Sequence, residues 1–179
     1  MRTILLIVCA ILAVKAFAVE EKLRLPVDRE VFTLASFSET SPRKHYFGEY
    51  RFPIDATGGI KLHLFPNGRF VVSKWSDVQP DELKVAGSFQ VDGDRLLLQF
   101  ARVVPGYEDL KTRFADLHLL WGWIEQKDFV TGFEVFVFPA EAWEALKTDP
   151  DKARFLFLQR ATEYNDWQTI LREYEGQKE

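Results

Sequence analysis

Few residues in this chain are equipped for acid-base or metal chemistry. Histidine is the commonest metal ligand and the side chain that titrates nearest neutral pH, and His45, His63 and His118 are the whole supply. His63 stands between Leu62 and Leu64, so on a strand it faces away from both. Asp116 and His118 are two residues apart, which on a strand puts them on one face and within reach of one ion. A zinc-type site needs a further protein ligand from elsewhere. The competing reading makes Asp116 and His118 solvent-facing residues on the outer side of a strand whose Leu117, Leu119 and Trp121 point inward. We adopt that second reading and assign no metal.

Covalent catalysis needs a nucleophile beside a base. Cys9 is the single cysteine, and it lies in the N-terminal apolar run. No G-x-S-x-G elbow, phosphate loop or dinucleotide fingerprint occurs. The carboxylate pairs Asp81/Glu82 and Asp149/Asp151 fall in turn-like stretches, where solvation explains them. These residues call for no catalytic role and no cofactor. Aromatics remain. Trp75, Tyr107, Trp121, Trp123 and Phe133 are the candidate lining of a ligand cavity, since a barrel of about eight strands can hold one small ligand. The alternative is that Trp121 and Trp123 simply fill a core. Trp75 differs, because it ends a strand and precedes the polar Ser76-Asp77, a rim position.

The N-terminus reads as an export signal. Arg2 supplies a positive start, Ile4 to Val14 is an unbroken apolar run, and Ala16-Phe17-Ala18 is a small-x-small cleavage site. The run is about half the roughly 20 residues a membrane-spanning helix needs, and Lys15 ends it. Cleavage after Ala18 leaves a periplasmic or secreted domain, residues 19–179, without a stable membrane anchor. A lipid-modified Cys9 would need a small residue before it, and Val8 is not small.

Without the signal the chain has no cysteine, so neither disulfides nor thiolate metal sites hold it together. A single core must do so, and the 16 Phe and 5 Trp residues supply the material. The mature chain keeps 21 of 23 basic residues against 27 acidic ones, a formal charge of −6. With no basic cluster, nucleic acid is excluded as a partner.

Period-two alternation and turn residues predict about nine strands. Glu20–Arg29 reads as a loose lead-in. Strands are expected at Glu30–Ser38, Tyr46–Phe52, Ile60–Leu64, Phe70–Ser73, Val85–Val91, Arg95–Phe100, Phe114–Gln126, Phe129–Phe138 and Ala153–Arg160. Asn67-Gly68 and Asp92-Gly93-Asp94 supply tight hairpin turns. Ser76–Glu82, with Pro80, and Val104–Arg113 read as loops. A short helix is expected over Glu141–Lys147. A terminal helix over Asp166–Glu175 is capped by Asp166 and presents Trp167, Ile170, Leu171 and Tyr174 on one face. The fold class is mainly β: an antiparallel meander closed or partly closed into a small barrel, with a short helix and a C-terminal helix.

Gly48-Glu49-Tyr50, followed by Leu62-x-Leu64 and Asn67-Gly68-Arg69-Phe70, resembles the opening of lipocalin-like (calycin-like) small barrels of exported bacterial proteins. Gly87-Ser88-Phe89 and Asp92-Gly93-Asp94 fit the next hairpin of that pattern, so the resemblance covers about residues 46–100. Lipocalins carry Trp where this chain has Tyr50. The resemblance implies a barrel and, as its usual cargo, a small apolar or amphipathic ligand. The other class open to the sequence is an exported structural or protein-interaction domain with a filled core and no ligand.

The signal reading sets a direct expectation: the intact mass of the exported protein begins at Val19. Met1 retained on the soluble protein excludes cleavage.

Overall fold

The computed structural model describes residues 23–27, 30–37, 45–55, 57–126, 129–148 and 164–177. The signal segment and the strand expected at Ala153–Arg160 lie outside them. Nine antiparallel strands form one sheet: β1 (Leu23–Val27), β2 (Glu30–Ser36), β3 (Gly48–Asp55), β4 (Gly58–Leu64), β5 (Arg69–Ser76), β6 (Gln79–Asp92), β7 (Arg95–Val103), β8 (Leu117–Gln126) and β9 (Phe129–Pro139). Strands β3 to β7 pair in sequence order, and the sheet curls through 279° into an open half-barrel. Three helices accompany it: α1 (Asp109–Arg113), α2 (Ala140–Thr148) and α3 (Trp167–Glu175). Among the described residues, no helix is long and apolar enough to cross a membrane.

The alternation that predicts the strands also sorts their side chains. Ile60, Leu62 and Leu64 of β4, Phe70 and Val72 of β5, Val85 and Phe89 of β6, Leu96 and Leu98 of β7, and Leu117, Leu119 and Trp121 of β8 share one buried inner cluster. Aromatic edges lock it, as where Phe52 meets Phe114 and Phe70 meets Phe100 in T-shaped pairs at 5.3 and 5.6 Å. The segment read as a loop contains α1, which sends Leu110 and Phe114 into this cluster. Phe114 therefore ends a helix, and β8 begins three residues later.

Strand β8 is where the sheet branches. Strand β9 runs along one edge for its whole length, so β7 and β2 share the other. The hand-over occurs at Leu119, whose N–H donates to Asp94 O at 2.6 Å while its carbonyl accepts from Phe37 N at 2.9 Å. Gly122 makes the β2 crossing possible, since a Cβ there would lie 1.9 Å from Thr33 O. The outer side of β8 is not the wet face expected from Asp116 and His118. Leu120, Phe136 and Phe138 are buried there, with Ala142 and Trp143 of α2, a helix packed on β8 and β9. His118 is accordingly only partly exposed.

Local expectations are corrected at four places. Leu23–Val27 pairs with β2 rather than trailing as a lead-in; Pro26 is tolerated because β1 is an edge strand. Residues 76–82 are not a loop, because β5 and β6 turn over Asp77-Val78 with Ser76 opposite Gln79, and a register shift absorbs Pro80. The first hairpin turn is centred on Pro66-Asn67, closed by Gly68 N to Phe65 O at 3.0 Å, with Gly68 at φ 77° after it. The second is centred on Gly93-Asp94, with Asp92 opposite Arg95.

Trp121 is 5% exposed within the inner cluster. Trp121→Ala is expected to lower unfolding stability by about 3–5 kcal/mol in chemical denaturation. A loss below about 1 kcal/mol would mean that the indole borders open space rather than packed neighbours.

Candidate functional site

The outer face of β4, β5 and β6 carries the most developed polar chemistry among the described residues. Alternation turns His63 of β4 and Val71 and Ser73 of β5 away from the inner cluster, and Leu83 of β6 joins them outside. Helix α3 covers this patch. Asp166 caps it by accepting from Thr169 N at 3.1 Å. Its apolar stripe follows the helical period, so Trp167, Ile170, Leu171 and Tyr174 meet Phe65, Val71 and Leu83, with Tyr164 just upstream packing alongside.

Beneath the helix lies a sealed hydrogen-bond network. His63 is 1% exposed and Ser73 fully buried. His63 Nδ1 bonds Tyr164 Oη, while Nε2 lies 3.0 Å from Tyr174 Oη and 3.1 Å from Ser73 Oγ. Tyr174 Oη is also 3.2 Å from Asp81 Oδ2, and Lys61 Nζ reaches the same oxygen at 2.7 Å. Lys61 Nζ lies 3.8 Å from Glu49 Oε2, and Glu49 pairs with Arg51.

A neutral imidazole fits these contacts. The Asp81 carboxylate only accepts, so Tyr174 donates its single hydroxyl proton to it. One ring nitrogen donates and the other accepts, the tautomer being set by whether the accepted proton comes from the Tyr164 or the Ser73 hydroxyl. Burial disfavours the imidazolium and lowers the His63 pKa from 6.5 to about 4, with Glu49 and Asp81 opposing and Lys61 and Arg51 assisting. Burial likewise pushes the Tyr164 and Tyr174 hydroxyls up, so both stay protonated donors. The Ser73–His63 contact has the form of a nucleophile and base. Ser73 is however sealed beneath Tyr174, and the far ring nitrogen meets a phenol rather than a carboxylate, so the arrangement holds structure.

A groove of about 490 Å³ opens beside this network, between the end of α3 and strands β5 to β7. Val71, Leu83, Ala86, Gly87 and Ala101 supply an apolar floor, with Arg69, Arg102 and Glu175 around it. Gly87 permits close packing beneath the floor, since a Cβ there would lie 2.0 Å from Gln99 O and 2.7 Å from the Phe70 ring of the inner cluster. Arg69 pairs with Glu175, and an Arg102 guanidinium nitrogen donates to Gln177 O at 3.4 Å. A wider depression of about 990 Å³ between α1 and α2 is bordered by Asp109, Arg113, Asp116 and Glu141, so four charged side chains compete with its small apolar patches.

Of the aromatic residues singled out in the sequence, the structure describes the side chains of Trp75, Tyr107 and Trp121. Trp121 is inside the inner cluster, and Tyr107 packs at its margin with Lys84 Nζ 4.5 Å over its ring. Trp75 is half-buried near the end of β5, outside that cluster, with its Nε1 enclosed and without a hydrogen-bond partner among the described residues. Trp123 and Phe133 are backbone partners across β8 and β9, and their side chains lie outside the described part of the structure. Asp116 and His118 diverge, Asp116 to Arg95 at 2.9 Å and His118 to Asp94 at 3.4 Å. Of the network members, Ser73 and Tyr164 escaped sequence reasoning, which gave Asp81 to a solvated turn and Tyr174 to the apolar stripe of the terminal helix. The available signal was the stripe on α3, which needed an outward-facing partner surface, and β4 and β5 carry the residues for one. Comparison with models of known families, with characterised proteins and with solved structures finds no match.

The depressed His63 pKa has a definite pH consequence. Above pH 6.5 folded and unfolded chains both hold neutral His63, and its contribution is complete. As pH falls from 6.5 towards 4 the unfolded chain takes a proton that the folded one refuses, so stability drops, by about 3 kcal/mol across the window. In urea denaturation at pH 7.5 and 4.5, wild type is expected to lose about 2 kcal/mol more than His63→Gln. Equal losses would show that His63 is not held neutral.

Proposed function

We propose that this chain is an exported binding domain for a small amphipathic ligand, seated in the outer groove beside α3 and not inside the half-barrel. The observation that carries this reading is the groove itself. Its volume lies within the range of about 300–1,000 Å³ typical of small-molecule sites. Its apolar floor suits a hydrocarbon or aromatic body, and the charged side chains at its border, Arg69, Arg102 and Glu175, suit a polar end. Packing of Leu62, Leu64, Phe70, Leu117 and Trp121 in one inner cluster supports placing the ligand outside. A ligand held against Trp121 would have to part that cluster.

The same packed interior favours a second reading, an exported structural or protein-interaction domain that carries no small ligand. Native mass spectrometry of protein purified from its source separates the two, a co-purified small molecule supporting the first. A second test uses anilinonaphthalene sulfonate, an aromatic anion, as the probe. Ala101 is exposed on the groove floor, so Ala101→Trp fills the groove without disturbing the inner cluster. It is expected to weaken probe binding about tenfold or more, with an unchanged unfolding midpoint. Undiminished binding by Ala101→Trp would remove the groove as the site.

A further inference from the structure

Helix α3 is attached differently from every strand it covers. Strand β4 pairs with β5 and β5 with β6 through their own backbones, and only Leu83 N, beside a register shift, turns to Gln177 beyond the end of α3. Its own attachment is side-chain packing on Phe65, Val71 and Leu83, the Arg69–Glu175 pair, the Gln177 bonds to Leu83 N and Asp81 O, and the tyrosine bonds to His63, Ser73 and Asp81. Among the described residues it can therefore lift without breaking a strand pair. Such partial openings take place at free energies below that of global unfolding.

We propose that α3 is a pH-sensitive latch, closed while His63 is a neutral ring between Tyr164 and Tyr174 and released when a second ring proton enters there. The proton count supplies the mechanism. In the closed state the ring has one nitrogen free to accept a proton from a neighbouring hydroxyl, Tyr164 at Nδ1 or Ser73 at Nε2. A second ring proton puts donor against donor there, and that hydroxyl must turn its own proton away. The imidazolium is also cut off from water by α3, and lifting the helix is the shortest route to hydration. The surroundings offer no net charge to compensate it. Asp81 on β6 and Glu49 on β3 are balanced by Lys61 on β4 and Arg51 on β3, while β5 contributes only neutral Ser73 and the α3 side only the two tyrosines. Release uncovers Phe65, Val71 and Leu83 on the sheet together with Trp167, Ile170 and Leu171 on the helix, and it removes Tyr174 and Glu175 from the groove wall. This switch goes beyond the ligand reading and stands without it.

The test is hydrogen exchange of the full mature chain at pH 7 and pH 4.5, corrected for intrinsic exchange rates. Protection of the 167–175 amides is expected to fall about tenfold or more on acidification, and to stay below that of the β6–β7 hairpin at both pH values, because α3 opens before the sheet does. In His63→Gln, a neutral side chain able to donate and accept, the pH dependence of α3 should flatten. Should that variant fail to fold, the wild-type His63 ring resonances decide instead. They are expected to stay neutral through pH 6 and then titrate with the same midpoint as the α3 signals. Protection of α3 independent of pH, protection of α3 equal to that of the hairpin at both pH values, or titration of His63 near pH 6.5 with α3 undisturbed would each overturn the latch.

Discussion

A sheet with apolar residues on both faces has to be covered on both, and this constraint organises the protein. Curling gathers the inner residues of β3 to β9 into one cluster, with Leu110 and Phe114 of α1 closing part of it. Curling can do nothing for the convex side. There α2 lies over the buried Leu120, Phe136 and Phe138, and α3 lies over Phe65, Val71 and Leu83. The helices act as covers for those sections of the sheet whose outward residues are not polar.

The two outer regions differ in kind. The buried residues beside α2 are mainly large and apolar, which favours packing without directional partners. Under α3 the cover includes His63, Ser73 and Tyr174 at full or nearly full burial. Polar groups so placed cost free energy unless each finds its partner, so the network defines one seating of the helix rather than a range of sliding positions. It also ties that seating to the protonation state of one imidazole. Fit and sensitivity thus arise from the same hydrogen bonds.

The branch at β8 leaves the sheet an open half-barrel. Strand β7 pairs with β8 only through Arg95 and Leu96, after which β2 takes over the edge. Space between diverging strands must be filled by something other than a ladder, and α1 delivers Leu110 and Phe114 into the inner cluster. A packed interior of this sort has no need of a ligand to complete it.

Local chemistry determined a good deal. Alternation at Ile60–Leu64, Val85–Val91 and Leu117–Trp121 sets which side chains share a face, because successive strand residues point oppositely whatever the neighbours are. The Asp166 cap and the Trp167, Ile170, Leu171, Tyr174 stripe likewise belong to the sequence, since caps and helical period depend on near neighbours. Strand limits around Pro26, Pro53 and Pro80 were less legible, because proline is excluded only where its missing N–H is needed, and edge position or a bulge removes that need. The site was not legible at all. His63 and Tyr174 are separated by 111 residues, and no local rule says that the outward face of β4 lies beneath a distant helix. Alternation could say that His63 points away from Leu62 and Leu64. Only the tertiary structure decided that this direction is buried, since burial depends on what the rest of the chain brings to cover it.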